Sequence, residues 1–176
     1  GFSLSSLYYG GPDFSLASLS EYVIVPSVKL FGLNEFSARF PSALAGIITV
    51  LLAYAIVKMR FRSSTALWSA FLLAIAPWHV HNSRYCNDTV LLTFFFMLGL
   101  YFFFLGLTRR NIYFYFGAAA FAMTFYTYLP SRIFVPLSGL ALLLIYRREL
   151  SQYRRAVLWS LFIFLLLLTP IIIFFI

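Results

Sequence analysis

The twelve residues PWHVHNSRYCND, 77–88, stand between two apolar blocks, ALWSAFLLAIA at 66–76 and TVLLTFFFMLGLYFFFLGL at 89–107. At about 1.5 Å of rise per residue, the 19 residues of the second block would cross most of a hydrocarbon core about 30 Å thick. Two histidines, an arginine and an aspartate are thereby placed where two apolar helices leave a membrane, a position in which ionisable groups are costly unless they serve a purpose.

Composition supports this reading. Of 176 residues 62% are hydrophobic and 10% charged, against roughly 45–50% and 25% in soluble domains. A soluble fold would need a polar surface that this chain cannot supply. The net charge of +8 falls in short clusters between apolar spans, a pattern that orients membrane proteins and argues against nucleic-acid binding. The single cysteine, Cys86, permits no internal disulfide and fits no metal or redox spacing, so it reads as a bystander thiol.

Taken in order, residues 1–14 read as a surface loop with a Gly-Gly-Pro-Asp turn, and residues 15–31 as an interfacial helix that Pro26 should kink. Residues 1–35 thus form an outer-face loop and interfacial helix. Residues 36–176 form a transmembrane helical region of about six spans, the fold class being all-α and polytopic. The first span starts near Pro41, placed in the first helical turn, and ends at Lys58. Spans over about 64–80, 89–107, 112–129 and 132–146 follow, and a last one from Ala156 is interrupted by Pro170. The chain starts without Met and stops inside an apolar run, so we expect a piece of a longer protein.

The alternation of spans divides the charges. One set of loops holds Lys58, Arg60, Arg62, Arg109, Arg110, Arg147, Arg148, Arg154 and Arg155 with the acid Glu149. The other holds Lys29, Arg39, Arg84 and Arg132 with Asp13, Glu21, Glu35 and Asp88. Nine basic against one acidic, versus four against four, makes the first side cytoplasmic and turns the 77–88 island outward.

On the outer side Arg39, Arg84 and Arg132 can converge from three loops into a pocket for a phosphate at headgroup depth, or each can cap a helix or snorkel to lipid. Asp88 can cap a helix start with Asn87, or serve as a carboxylate beside Arg84 that takes a proton from an acceptor hydroxyl. His79 and His81 raise a divalent metal, but at i, i+2 they fall on different faces of a helix, though on one side of an extended segment. No second ligand cluster is near in sequence. Tyr126 and Tyr128 belong to an aromatic belt or line a sugar site.

The succession FGLNEFSARFPSALAG, APWHVHNSRYCNDTVLLTFFF and FYTYLPSRIFVPL resembles the membrane region of the dolichyl-phosphate-mannose-protein mannosyltransferases, glycosyltransferase family 39 and its prokaryotic relatives, over about residues 26–136. The resemblance implies a GT-C fold in a prokaryotic plasma membrane. It implies transfer of a sugar from a polyprenyl-phosphate donor to a glycan, protein or lipid hydroxyl on the outer face. By position, Arg39, Arg84, Tyr128 and Arg132 would bind the donor phosphate and sugar, with Asp88, matching the family's acidic residue after its third helix, as the catalytic residue. The family's acidic pair, after its first span, would precede Gly1. Two further readings are an accessory subunit of a larger membrane assembly and a transporter. The second is disfavoured by spans almost free of ionisable residues at mid-depth.

Overall fold

The computed structural model describes residues 19–85 and 87–175, so the expected loop at 1–14, Asp13 and Cys86 lie outside the described residues. The described residues are mostly helical, with no strand among them, in an all-α membrane protein. The elements are α1 (Leu19–Phe31), α2 (Glu35–Lys58), α3 (Ser63–Ile75), α4 (Pro77–Arg84), α5 (Asp88–Thr108), α6 (Ile112–Thr124), α7 (Ser131–Ile145), the short α8 (Arg147–Leu150) and α9 (Arg154–Phe175). Three segments are long and apolar enough to cross a membrane, Glu35–Lys58, Asp88–Thr108 and Arg147–Ile171. Ser63–Ile75, Ile112–Thr124 and Ser131–Ile145 are shorter apolar helices.

Helix ends follow local chemistry. Gly32, with φ 76°, closes α1 in the left-handed conformation that a side chain would resist, and its N–H donates to the Val28 carbonyl at 2.9 Å. Asn34 then opens α2 through a reciprocal box: its side chain accepts from the Ser37 N–H at 2.8 Å while the Ser37 hydroxyl accepts from the Asn34 N–H at 3.2 Å. This cap starts α2 six residues before Pro41, so the expectation of Pro41 in the first turn is corrected: it lies inside the helix.

Proline acts differently at two other places. Pro77 ends α3 and begins α4, because the residue before it, Ala76, is held extended at ψ 122°. At Pro170 the expected interruption does not occur, and α9 runs on to Phe175. The missing N–H would orphan the Leu166 carbonyl four residues back, but the Thr169 hydroxyl donates to it at 2.7 Å. A side chain replaces the lost backbone donor.

The most extensive pairing is the antiparallel hairpin of α5 and α6. A Cβ on Gly99 would lie 2.8 Å from the Phe121 ring, and one on Gly106 at 2.8 Å from the Phe114 ring. Between them a Cβ on Gly117 would lie 3.3 Å from the Gly99 carbonyl oxygen and 3.4 Å from the Phe103 backbone N. Small and large residues thus alternate across the seam, each ring seated on a bare backbone. Lipid tails are as apolar as the rings, so close van der Waals packing of this kind, not expulsion from water, holds the pair.

The two ends of the bundle are tied separately. At one end Val23 of α1, Ala45 of α2, and Val90 and Leu91 of α5 pack together. At the other Phe103, Phe114, Leu150 and Ala156 join α5, α6, α8 and α9. Outward faces are apolar: Leu67 and Trp68 of α3 are 60% and 64% exposed, and Ile133 of α7 is 71% exposed. Such surfaces are untenable in water and natural against lipid.

Tyr126, in the turn after α6, knots three elements. Its carbonyl accepts from the Leu19 N–H at 2.9 Å, and its hydroxyl donates to the Leu167 carbonyl in α9. Tyr126→Phe should therefore cost about 1 kcal/mol in detergent unfolding experiments.

The seam makes a sharper prediction. Gly99→Ala and Gly106→Ala should each destabilise by about 1–3 kcal/mol through overpacking. Gly139→Ala, where nothing lies within 4 Å, should be neutral or stabilising. Thermal unfolding midpoints of the three variants in detergent decide this.

Candidate functional site

The 77–88 island folds as one helix, an extended residue and a second helix start. Pro77 supplies the first turn of α4, Tyr85 is extended with ψ 153°, and Asn87 caps α5. The Asn87 side chain accepts from the Thr89 N–H at 3.1 Å and from its hydroxyl at 3.0 Å, while its own amide donates to Asn82 at 3.1 Å. Asparagine thus takes the cap that sequence divided between Asn87 and Asp88. Asp88 stands half-buried in the first turn of α5, where a carboxylate also complements the helix dipole.

What seats α4 is a close approach to α2 at Gly46. A Cβ on Gly46 would fall 2.3 Å from the Ser83 hydroxyl and 2.8 Å from the Ser83 Cβ. His79, 4% exposed, donates from Nε2 to the Gly46 carbonyl at 3.2 Å. A carbonyl can only accept, so the proton is on Nε2. The Ser83 hydroxyl is turned back to the His79 carbonyl at 2.7 Å. The buried residues of α2 on either side of Gly46 are small, Ser42, Ala45 and Thr49.

With His79 and Ser83 committed to α2, the other side of α4 opens into a cavity of about 470 Å³ lined by Arg39, Pro77, Val80, His81, Arg84 and Tyr85, with Ile75 at the end of α3. Arg39 reaches it because it lies seven residues, about two turns, before Gly46 on the same face of α2. Its guanidinium stands 6.0 Å from the centre of the Tyr85 ring and forms an i,i+4 ion pair with Glu35 at 3.6 Å. Both partners are exposed, at 53% and 85%, so the pair contributes at most roughly 0.5 kcal/mol and leaves Arg39 able to turn to another anion. The His81 ring packs on Tyr85 with centroids 4.8 Å apart. No acid is among the described residues lining this cavity, which therefore suits an anion bound by two guanidinium groups.

The five residues singled out by sequence are distributed as follows. Arg39 and Arg84 share the cavity. Asp88, Tyr128 and Arg132 are not among its described lining residues, although all three begin or precede helices that start at this end of the bundle, Arg132 in the first turn of α7. Tyr128 is 36% exposed and Arg132 half-buried. Among the described residues no three His, Cys, Asp or Glu side chains are grouped as a metal site. His79 and His81 do face opposite ways, one into α2 and one into the cavity.

Sequence reasoning missed Tyr85 and gave His81 no part in an anion site. The available signal was the spacing of His81, Arg84 and Tyr85 at i, i+3 and i+4, one face of a continued helix.

Residues 17–174 match the model of a family described as dolichyl-phosphate-mannose-protein mannosyltransferase. Similar curated proteins include two uncharacterised proteins of Aquifex aeolicus (strain VF5). One is 31% identical over 109 residues, covering 61% of this chain and 22% of that protein; the other is 34% identical over 127 residues, covering 71% and 28%. The Bacillus subtilis (strain 168) protein named "Putative mannosyltransferase YkcB" is 33% identical over 86 residues, covering 49% and 12%. The chain thus spans between 12% and 28% of the length of these relatives. No solved structure matches it significantly.

The docking of α4 yields a stability test. His79→Ala should cost about 1–3 kcal/mol by removing the inter-helix bond to the Gly46 carbonyl and emptying the buried place of the ring. His81→Ala, at an exposed position, should stay within about 0.5 kcal/mol of the parent. Equal losses for the two histidines in thermal unfolding would remove the assignment of His79 as the anchor.

Proposed function

This chain belongs to the dolichyl-phosphate-mannose-protein mannosyltransferase family, and from that premise we propose that it forms part of a membrane glycosyltransferase. The enzyme transfers a sugar from a polyprenyl-phosphate donor to an acceptor hydroxyl on a glycan, protein or lipid at the outer face of a prokaryotic plasma membrane. The single observation that carries the proposal is the cavity shared by Arg39 and Arg84, residues on α2 and α4 that meet only because α4 docks at Gly46.

In the reaction the acceptor oxygen attacks the anomeric carbon as the bond from that carbon to the donor phosphate breaks. The polyprenyl phosphate leaves with the electron pair and with growing negative charge. Guanidinium groups of Arg39 and Arg84 meet that charge, which is greater in the transition state than in the bound donor, so their attraction lowers the barrier. Tyr85 and Tyr128 offer ring faces and hydroxyls to the sugar. Arg132 supplies a third cation from α7. The acceptor proton goes to a carboxylate, with Asp88 as the candidate within this chain.

The arginine-rich ends of the helices lie on the cytoplasmic side, and six apolar helices cross or enter the membrane. An open cavity supports a catalytic role over a purely accessory one, since an accessory subunit would have no need to leave two arginines facing a shared void.

In membranes containing the full-length protein and a polyprenyl-phosphate sugar, Arg84→Ala and Arg39→Ala should each lower kcat/KM by about ten- to a hundredfold, the worth of one hydrogen-bonded contact to a charged phosphate. Arg84→Lys should recover part of the loss, since charge survives while the bidentate fork does not. Transfer at the parental rate by Arg84→Ala would sink the phosphate-binding role.

A further inference from the structure

The opposite end of the bundle carries a second cavity, of about 510 Å³, walled by the ends of α2 and α5 and the start of α6. Two cations line it, Lys58 from α2 and Arg109 after α5, together with Tyr54, Tyr101 and Tyr113. No acid is among its described lining residues. Among the described residues neither Lys58 nor Arg109 makes an ion pair.

The cations of this end are not equivalent. Arg60 is spent on aromatic packing, its guanidinium 5.4 Å from the ring centres of both Phe104 and Tyr146. Lys58 is instead laid along its own helix, with Nζ 5.2 Å from the centre of the Tyr54 ring one turn back. That contact holds the ammonium at the cavity wall and does not use its hydrogen-bond donors. Ala55 and Leu105 line the same cavity as apolar surface. A cavity lined by two cations, three tyrosines and an apolar wall matches a phosphate group attached to a greasy body.

We infer that Lys58 and Arg109, with Tyr54, Tyr101 and Tyr113, form a binding site for a phosphate group, and that its occupant is the headgroup of an anionic phospholipid. The lipid source follows from placement. Lys58 ends one membrane-length helix and Arg109 caps the end of another, so the cavity lies at the depth of the phosphodiester layer, with acyl chains running along α2 and α5. The site is independent of the donor cavity, which lies at the other end of the same helices.

The test uses the full-length protein in detergent, titrated with phosphatidylglycerol in mixed micelles and followed by its unfolding temperature. Phosphatidylcholine and inorganic phosphate serve as parallel titrants. Phosphatidylglycerol should raise the unfolding temperature of the parent and, equally, of Arg154→Gln, an exposed cation that is among the lining residues of neither cavity. In the double variant Lys58→Gln/Arg109→Gln its apparent affinity should fall roughly thirtyfold. Lys58→Arg/Arg109→Lys should restore it, which separates loss of charge from a misfolded variant. An undiminished response in the Gln double variant overturns the site. So does the absence of any phosphatidylglycerol effect on the parent, the result expected if carboxylates elsewhere in the full chain fill the cavity. A response to phosphatidylcholine equal to that for phosphatidylglycerol also overturns it. Saturation by inorganic phosphate with no preference for lipid overturns the assignment of the lipid as occupant.

Discussion

The site rests on a missing side chain. At Gly46 the backbone of α2 is bare, and into that space come the Ser83 side chain and the His79 ring. Any Cβ there would meet Ser83 at 2.3 Å, so α4 could not lie where it does. Since His79 and Ser83 are both on the face turned to α2, the rest of α4 has its orientation set: Val80, His81 and Arg84 turn toward the cavity. A short helix of eight residues holds little stability of its own. Its direction comes from this contact and from Pro77 and Asn87 at its two ends.

The same device recurs in the α5–α6 hairpin, where Gly99, Gly106 and Gly117 bring backbone against ring or backbone. It suits a protein in lipid. Apolar side chains gain little by leaving hydrocarbon for a neighbouring helix, so close contact, which raises dispersion and admits polar pairing, must hold the helices together. Large side chains can then be left facing outward on α3 and α7, and the buried threonine hydroxyls are answered locally. Thr49 donates to the Ala45 carbonyl at 2.7 Å, and Thr127 to the Thr124 carbonyl at 2.7 Å.

Two cavities at opposite ends of α2 give the bundle a polarity. The first gathers Arg39 and Arg84, the second Lys58 and Arg109. Both are cationic and free of acids among their described lining residues. Their settings differ: one is built on α4, a short helix seated by one close contact, while the other is framed by two membrane-length helices.

Several features were legible in the residues alone. Apolar runs broken by basic clusters specify an all-α membrane protein, because backbone groups in lipid must be paired within the segment. Asn34 and Ser37, Gly32, Pro77 and Asn87 mark helix ends by chemistry confined to a few neighbouring residues. Family membership was carried by three ordered motifs. The tertiary structure alone decided that Arg39 and Arg84 share a cavity, that His79 is an anchor while His81 is exposed, and that Asp88 and Arg132 lie outside the lining of that cavity. The physical reason is that apolar residues surround most of these helices, so hydropathy shows no preferred face. Which face packs is settled by fit between two surfaces distant in sequence, here a glycine on one helix and a serine and histidine on the other.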